Sequence, residues 1–296
     1  MQSFANKDSG GFDICKIQAS SLKEMYEICR YIPYARGFNT LGWVKYHINS
    51  NLNDSPGNNL FVFNRDDKKY IVDTFPEIWV INLQRRQDRK QKMIETGLPL
   101  NFFTAVDGKE LTMTDEIKKL FKGNDFNYRR AVIGAALSHY NLWRQLSDSE
   151  QKEYLIVEDD VQFAESFLFK YSHVYGQLQY IKDWDICYLG WSLYEHQKHH
   201  IASELWNDKF PDVVPFDNRA FYGAGFFGYL ISKQGAQKLC KYIAENGITQ
   251  AIDCIPQKIE GFNRYFMFPH IIKTPCYGPG NENIDTDIQT DYSYLQ

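Results

Sequence analysis

The sequence lacks a Cys-x-x-Cys pair. Its six cysteines, Cys15, Cys29, Cys187, Cys240, Cys254 and Cys276, are scattered, which argues against a zinc site. Their spacing demands no oxidising compartment, and a Cys15–Cys29 bridge stays open. No run reaches the ~18 apolar residues of a membrane span. The nearest, around Phe221–Ile231, is short and glycine-rich. Met1 to Asp8 carry no apolar segment of the signal-peptide kind, so the default expectation is a cytoplasmic protein. Basic charge is not in excess either. A formal net charge of −4 argues against a general nucleic-acid binder, while leaving room for a local phosphate site.

Aromatics are plentiful, at 16% with 20 Tyr and 21 Phe, which suits amphipathic pockets and sugar-stacking surfaces. The 296 residues suffice for one large domain with a small module. Residues 1–12 are polar and read as a disordered tail. Residues 13–75 read as a small α+β accessory module. It has a helix over Ser21–Arg30, a polar loop over Asn49–Asn59, and a hairpin pairing Phe61–Phe63 with Tyr70–Val72. With Trp43 and Tyr46 it is a candidate acceptor-binding or oligomerisation unit, and a homo-oligomer is an open expectation. Residues 76–296 change character. Strands at Ile78–Leu83, Phe102–Val106, Leu155–Val157, Ile186–Leu189 and Phe226–Ile231 alternate with helices at Arg85–Thr96, Ala131–Leu146, Glu165–Tyr180 and Gly235–Glu245. That alternation predicts an α/β domain with a mainly parallel, helix-covered sheet.

The segment Tyr154-Leu155-Ile156-Val157-Glu158-Asp159-Asp160 carries the most chemistry. A buried strand delivers three consecutive carboxylates to its end, where ligands of α/β sheets collect. Such acids repel one another unless a cation joins them, and a hard divalent metal sharing a phosphate is the natural one. The competing reading is an acidic cap on a following helix. Arg85, Arg86 and Arg89 follow another strand and could fork onto a diphosphate, or could simply line a solvated helix face. Asp107-Gly108 is a hydroxyl-binding strand end or an ordinary turn. His139 follows small residues, Gly134-Ala135-Ala136, on a helix. It reads as an acid–base or phosphate contact or, more commonly, a structural histidine. Asp253, among apolar residues, is an N-cap or a base with a raised pKa. Gly223-Ala224-Gly225-Phe226-Phe227-Gly228 matches the dinucleotide fingerprint in letters only. It precedes a strand, so a nicotinamide site is rejected, and close backbone approach to a substrate is expected instead.

In order along the chain stand Val80-Ile81-Asn82-Leu83 with Arg86 and Asp88-Arg89, Ala105-Val106-Asp107-Gly108, Gly134 with Leu137-Ser138-His139 and Trp143, and Glu158-Asp159-Asp160. Asp183-Trp184-Asp185 with Tyr188 and Gly190 follows, then Tyr229 with Ile231-Ser232 and Gly235-Ala236. This ordered set, over roughly Ile78 to Asp287, resembles glycosyltransferase family 25. That family includes bacterial lipooligosaccharide galactosyltransferases and procollagen hydroxylysine galactosyltransferases, and the likeness is greater to the collagen-modifying branch. The resemblance implies a GT-A-like, Rossmann-type fold, a UDP-galactose or UDP-glucose donor, Mn²⁺, and inversion at the anomeric carbon. It implies Asp160, with Asp159 or Glu158, as metal ligands. Asn82, Arg86, Arg89, Asp107, Ser138 and His139 would lie on the nucleotide side, and Asp253 would be the general base. Asp285-Thr286-Asp287 resembles a late acidic motif, which adds Asp287 to the metal set. The implied acceptor is hydroxylysine in a collagen-like protein or a glycan end. Ala135-Ala136 departs from the family's usual Cys or Phe, and residues 13–75 have no family counterpart. The alternative is a non-catalytic relative that binds a glycan or protein.

Overall fold

The computed structural model describes residues 1–10, 13–30, 35–45, 48–64, 77–165, 167–178, 181, 183–195, 198–200, 212–216, 222–274, 288 and 291–296. In chain order the first elements are β1 (Gln2–Phe4), β2 (Lys7–Asp8), β3 (Asp13–Lys16), α1 (Leu22–Cys29), β4 (Gly37–Asn39), β5 (Trp43–Lys45), β6 (Asn53–Asp54) and β7 (Leu60–Val62). Then come β8 (Glu77–Asn82), α2 (Gln87–Glu95), β9 (Leu100–Thr104), α3 (Asp115–Leu120), α4 (Arg130–Asp148), β10 (Glu153–Glu158), β11 (Gln162–Phe163), α5 (Phe167–Leu178) and β12 (Ile186–Tyr188). The rest are β13 (Ser192–Glu195), β14 (Lys198–His200), β15 (Asp212–Pro215), β16 (Tyr222–Ala224), β17 (Gly228–Ser232), α6 (Lys233–Asn246), β18 (Arg264–Phe268) and β19 (Ile272–Lys273). Among the described residues no helix is long and apolar enough to cross a membrane.

Two compact units emerge: Met1–Phe75 with Ala164–Lys182 and Asp208–Asp212, and the remainder. In the first, an antiparallel sheet runs β1-β7-β4-β5-β3. The expected tail thus contributes strands: β1 pairs with β7, and β2 with β6. Likewise β7 pairs with β1 and β4, and the expected partner Tyr70–Val72 lies outside the described residues. Polarity misled there, because exposed edge strands are polar too. Helix α1 starts on a capping pattern: Ser21 Oγ accepts the Glu24 N–H at 3.2 Å, and Glu24 accepts the Ser20 N–H at 2.7 Å. Cys29 is buried on the inner face of α1. Buried Lys45 is held by Asp13 at 2.6 Å and Asp8 at 3.4 Å.

The second unit is mixed α/β around a seven-stranded sheet of order β15-β18-β12-β17-β10-β8-β9. Strands β9, β8 and β10 are parallel, β12 and β18 are parallel, and β17 is antiparallel to both its neighbours. Residues 154–157 of β10 are buried on both faces, which explains their unbroken apolar run. From β8 the chain passes through α2 to β9 on one side, and β10 flanks β8 on the other. The order therefore reverses at β8, and the crevice beyond the carboxyl ends of β8 and β10 is where such sheets bind ligands. Helices α4 and α6 pack together, and Leu142, Trp143 and Leu146 join Tyr154, Ile156, Tyr229, Ile231 and Leu239 in the core. Gly134 brings α4 onto the turn after β9, since a Cβ there would lie 2.6 Å from the Val106 carbonyl oxygen.

His270, between β18 and β19, is buried, with its ring 4.7 Å from that of Trp191 and no hydrogen bond on Nε2 among the described residues. Burial depresses its pKa from 6.5 to about 3. As pH falls through 6.5 the unfolded chain gains a proton that the folded chain refuses until near pH 3. Stability should therefore fall by about 1.4 kcal/mol per pH unit in that window from this group. Urea unfolding from pH 6 to 4 should show this slope reduced by that amount in His270→Gln, and equal slopes would contradict it.

Candidate active site

Register builds the site. Glu158 of β10 aligns with Ile81 of β8, so the next residues, Asp159 and Asn82, meet at the strand ends. Asn82 Nδ2 donates to Asp159 Oδ2 at 2.7 Å and to the Arg86 carbonyl at 3.1 Å. Arg89, on the first turn of α2, donates to Asp159 Oδ1 at 2.6 Å and stands 3.5 Å from Asp160 Oδ2. Both Asp159 and Arg89 are buried. Burial opposes the Arg89 charge, but Asp159 and Asp160 outweigh it and its pKa is raised. Burial pushes the Asp159 carboxyl up, against the pull of Arg89 and Asn82, so the buried carboxylate depends on those two donors. Asp160 also accepts from Thr274 Oγ1 at 3.4 Å.

A cavity of about 340 Å³ opens here. Arg85, Arg89, Asp107, Ser138, His139, Glu158, Asp159, Asp160, Asp253 and Thr274 all reach it, with Ala131, Val132, Ala135, Phe226 and Phe227 among its apolar lining. Arg86 turns away to fork onto Asp88 at 3.0 and 2.9 Å, and Arg85 takes the inward place, with Nε donating to Asp107 Oδ2 at 2.8 Å. The sequence showed the arginine run, but which one faces inward depends on the turn. Asn82 stands behind Asp159 rather than in the lining. Ser138 Oγ accepts the Val106 N–H at 2.9 Å and donates to the Gly134 carbonyl at 2.7 Å, which ties the β9 turn to α4.

His139 is buried and reaches the cavity beside Glu158. Trp143 Nε1 donates to Tyr229 Oη at 3.0 Å, and Tyr229 Oη lies 2.8 Å from His139 Nδ1. Tyr229 is fully buried, so its own O–H needs that nitrogen as acceptor. The neutral His139 proton then sits on Nε2, which faces Glu158 Oε1 at 3.7 Å. Asp253 is half-buried, in the 3₁₀ turn Ile252–Cys254, and Oδ2 accepts the Gly225 N–H at 2.9 Å. Burial pushes its carboxyl pKa up, against the pull of that N–H. The glycine-rich 223–228 segment thus runs from the end of β16 to the start of β17, without a strand-to-helix turn. Gly228 packs against the protein itself, since a Cβ there would lie 2.7 Å from the Ile272 side chain, while Gly225 lines the cavity.

Asp287 lies outside the described residues, as do Asp285 and Thr286. Among the described residues no three His, Cys, Asp or Glu side chains converge as a metal cage. A cation held mainly by a diphosphate needs only one or two protein carboxylates. Asp160 and Asp159 fit that lesser requirement. Thr274 and Asp291, which also line the cavity, were missed, because each reaches it from far along the chain.

The family model described as glycosyltransferase family 25 (LPS biosynthesis protein) matches residues 75–255. The chain belongs to glycosyltransferase family 25. A glycosyltransferase 25 family member of Aedes aegypti is 32% identical over 196 residues, covering 59% of this chain and 30% of its own length. Procollagen galactosyltransferase 2 of Homo sapiens is 33% identical over 179 residues, covering 56% and 27%. The R655 protein of Acanthamoeba polyphaga mimivirus is 32% identical over 227 residues, covering 74% and 69%. The chain thus spans less than a third of the length of the first two. The family 25 match contains both strand ends, the acidic cluster and Asp253.

Replacing Arg89 with Met strands the Asp159 charge in a buried place. It is expected to lower unfolding stability by about 3–5 kcal/mol, measured by urea titration at pH 7. A loss below about 1 kcal/mol, the level of an exposed pair, would contradict the buried-pair reading.

Proposed function

We propose that this family 25 chain is a UDP-hexose-dependent, Mn²⁺-requiring glycosyltransferase that moves galactose or glucose, with inversion, to a hydroxyl acceptor. The supporting observation is one cavity at the switch point of the sheet that carries Asp159–Asp160 and also Asp253. We read the sheet as a GT-A-type scaffold. The acceptor is hydroxylysine of a collagen-like chain or a glycan end, and the name of the procollagen galactosyltransferase relative supports the first.

In this reading Asp160, assisted by Asp159, holds the cation, which when bound neutralises diphosphate charge as a Lewis acid. Arg89 holds Asp159 ionised and in place. Arg85 and Asp107 sit at the turns where the nucleotide lies. Asp253 takes the proton of the acceptor hydroxyl, whose oxygen forms the new bond to the anomeric carbon as the bond to UDP breaks. Its raised pKa suits that work, because a base operates best near the ambient pH. The apolar wall of Phe226 and Phe227 excludes water from the sugar.

UDP release should be followed with UDP-galactose and UDP-glucose, with and without hydroxylysine collagen peptide. Asp160→Ala and Asp253→Asn are each expected to lower transfer by at least about 100-fold, the scale of a lost acid–base group, with melting unchanged. Full transfer by Asp160→Ala, or in chelator, would contradict the metal assignment.

A further inference from the structure

Two arginines open α4, where a helix start ordinarily favours acids. Neither points to solvent. Arg129 Nε donates to the Asp291 carbonyl at 2.7 Å, a second guanidinium nitrogen donates to the Ile288 carbonyl, and the guanidinium lies 4.2 Å from the Tyr292 ring centre. The Arg130 N–H donates to the Ser293 carbonyl at 2.9 Å, and its Nε to the Tyr294 carbonyl at 3.3 Å. Arg130 also donates to the Leu111 carbonyl, which ties in the turn after β9. Arg129 and Tyr294 form an antiparallel bridge, and the Leu295 N–H donates to the Tyr128 carbonyl at 3.0 Å while its side chain enters the core. Asn127 and Tyr128 hold φ of 51° and 56° at this contact, a left-handed pair that the Asn124 side chain supports by accepting the Tyr128 N–H at 2.8 Å. Backbone like this persists only where the surroundings over-determine it.

The segment so held reaches the cavity. Ile288 and Asp291 line it together with Asp107, Gly108, Ala131, Val132 and Ala135. These residues form the end of the cavity built on the β9 turn and the start of α4. Asp291 Oδ1 accepts the Ser293 N–H at 2.9 Å, which fixes the carboxylate. The segment lies outside the residues 75–255 that the family model matches.

We propose that Ile288 and Asp291–Gln296 form a wall of the donor cavity, with Arg129 as the positioning residue that holds it and Asp291 as the hydroxyl-binding group it delivers. This rests on the nucleotide-sugar reading above. A polyhydroxylated ligand such as a ribosyl diphosphate meets this wall only when the segment is docked. Docking and ligand binding then stabilise each other.

The test is calorimetry of UDP with Mn²⁺ on the full chain, on Arg129→Ala and on a chain ending at Thr290, with hydrogen exchange on the ligand-free proteins. Both variants are expected to bind at least about tenfold more weakly, through lost pre-organisation, and to exchange faster over residues 106–109 and 131–135. Arg129→Lys, which keeps the charge and loses the fork, is the second variant should either fail to fold, and it should weaken binding in the same direction. Asp291→Asn keeps the segment and should raise the donor KM more than it lowers kcat; an unchanged KM overturns the role of Asp291. Folded variants with parental affinity and parental exchange overturn the wall. If the parent does not bind UDP with Mn²⁺, the nucleotide-sugar reading fails, and exchange in the ligand-free proteins decides the wall alone.

Discussion

The site depends on one buried carboxylate. Asp159 accepts from Asn82 at the end of β8 and from Arg89 on α2, and so ties the turn after β10 to both. A buried ion pair contributes little net stability when compared with a well-packed apolar substitute, but losing one partner leaves an uncompensated charge. The pair therefore acts mainly as a constraint. It fixes the turn after β10 and so fixes where Asp160 stands. A cluster of three acids that would repel one another becomes an ordered set with different partners. Asp159 is tied inward, Asp160 stands on the cavity wall, and Glu158 faces His139.

A second anchored layer backs the cavity and meets its lining at His139. Trp143, Tyr229 and His139 form a buried hydrogen-bonded line that fixes the imidazole tautomer. Ser138 and Gly134 lock α4 onto the β9 turn. The cavity thus rests on rigid strand ends and a long helix, which is what pre-organised charge stabilisation requires. Asp253 comes from a separate 3₁₀ turn and is held by a backbone N–H of the glycine-rich segment. Gly225 thus holds the Asp253 carboxylate, and the segment opens no strand-to-helix turn.

The sheet was legible where one strand had an unbroken apolar run and the next element had a clear helical face. Strand β10 and helices α4 and α6 are of that kind. The tail at residues 1–12 was misread because edge strands are short and polar, so pairing rather than composition decides them. The acidic cluster, Arg89 and Asp253 were visible as residues out of keeping with their surroundings. The choice of Arg85 over Arg86 was not, because it depends on the turn geometry before α2. Thr274 and Asp291 could not be found from local pattern, since only tertiary pairing brings them to the cavity.

Asp159 and Asp160 are adjacent yet differently held, the first tied to Asn82 and Arg89 and the second facing the cavity. Isothermal titration of UDP, with and without Mn²⁺, should be compared between Asp159→Asn and Asp160→Asn. Asp160→Asn is expected to lose the whole Mn²⁺-dependent gain in affinity, while Asp159→Asn keeps a weakened gain and loses fold stability. A Mn²⁺-dependent gain that survives in Asp160→Asn and vanishes in a fully stable Asp159→Asn would contradict that assignment.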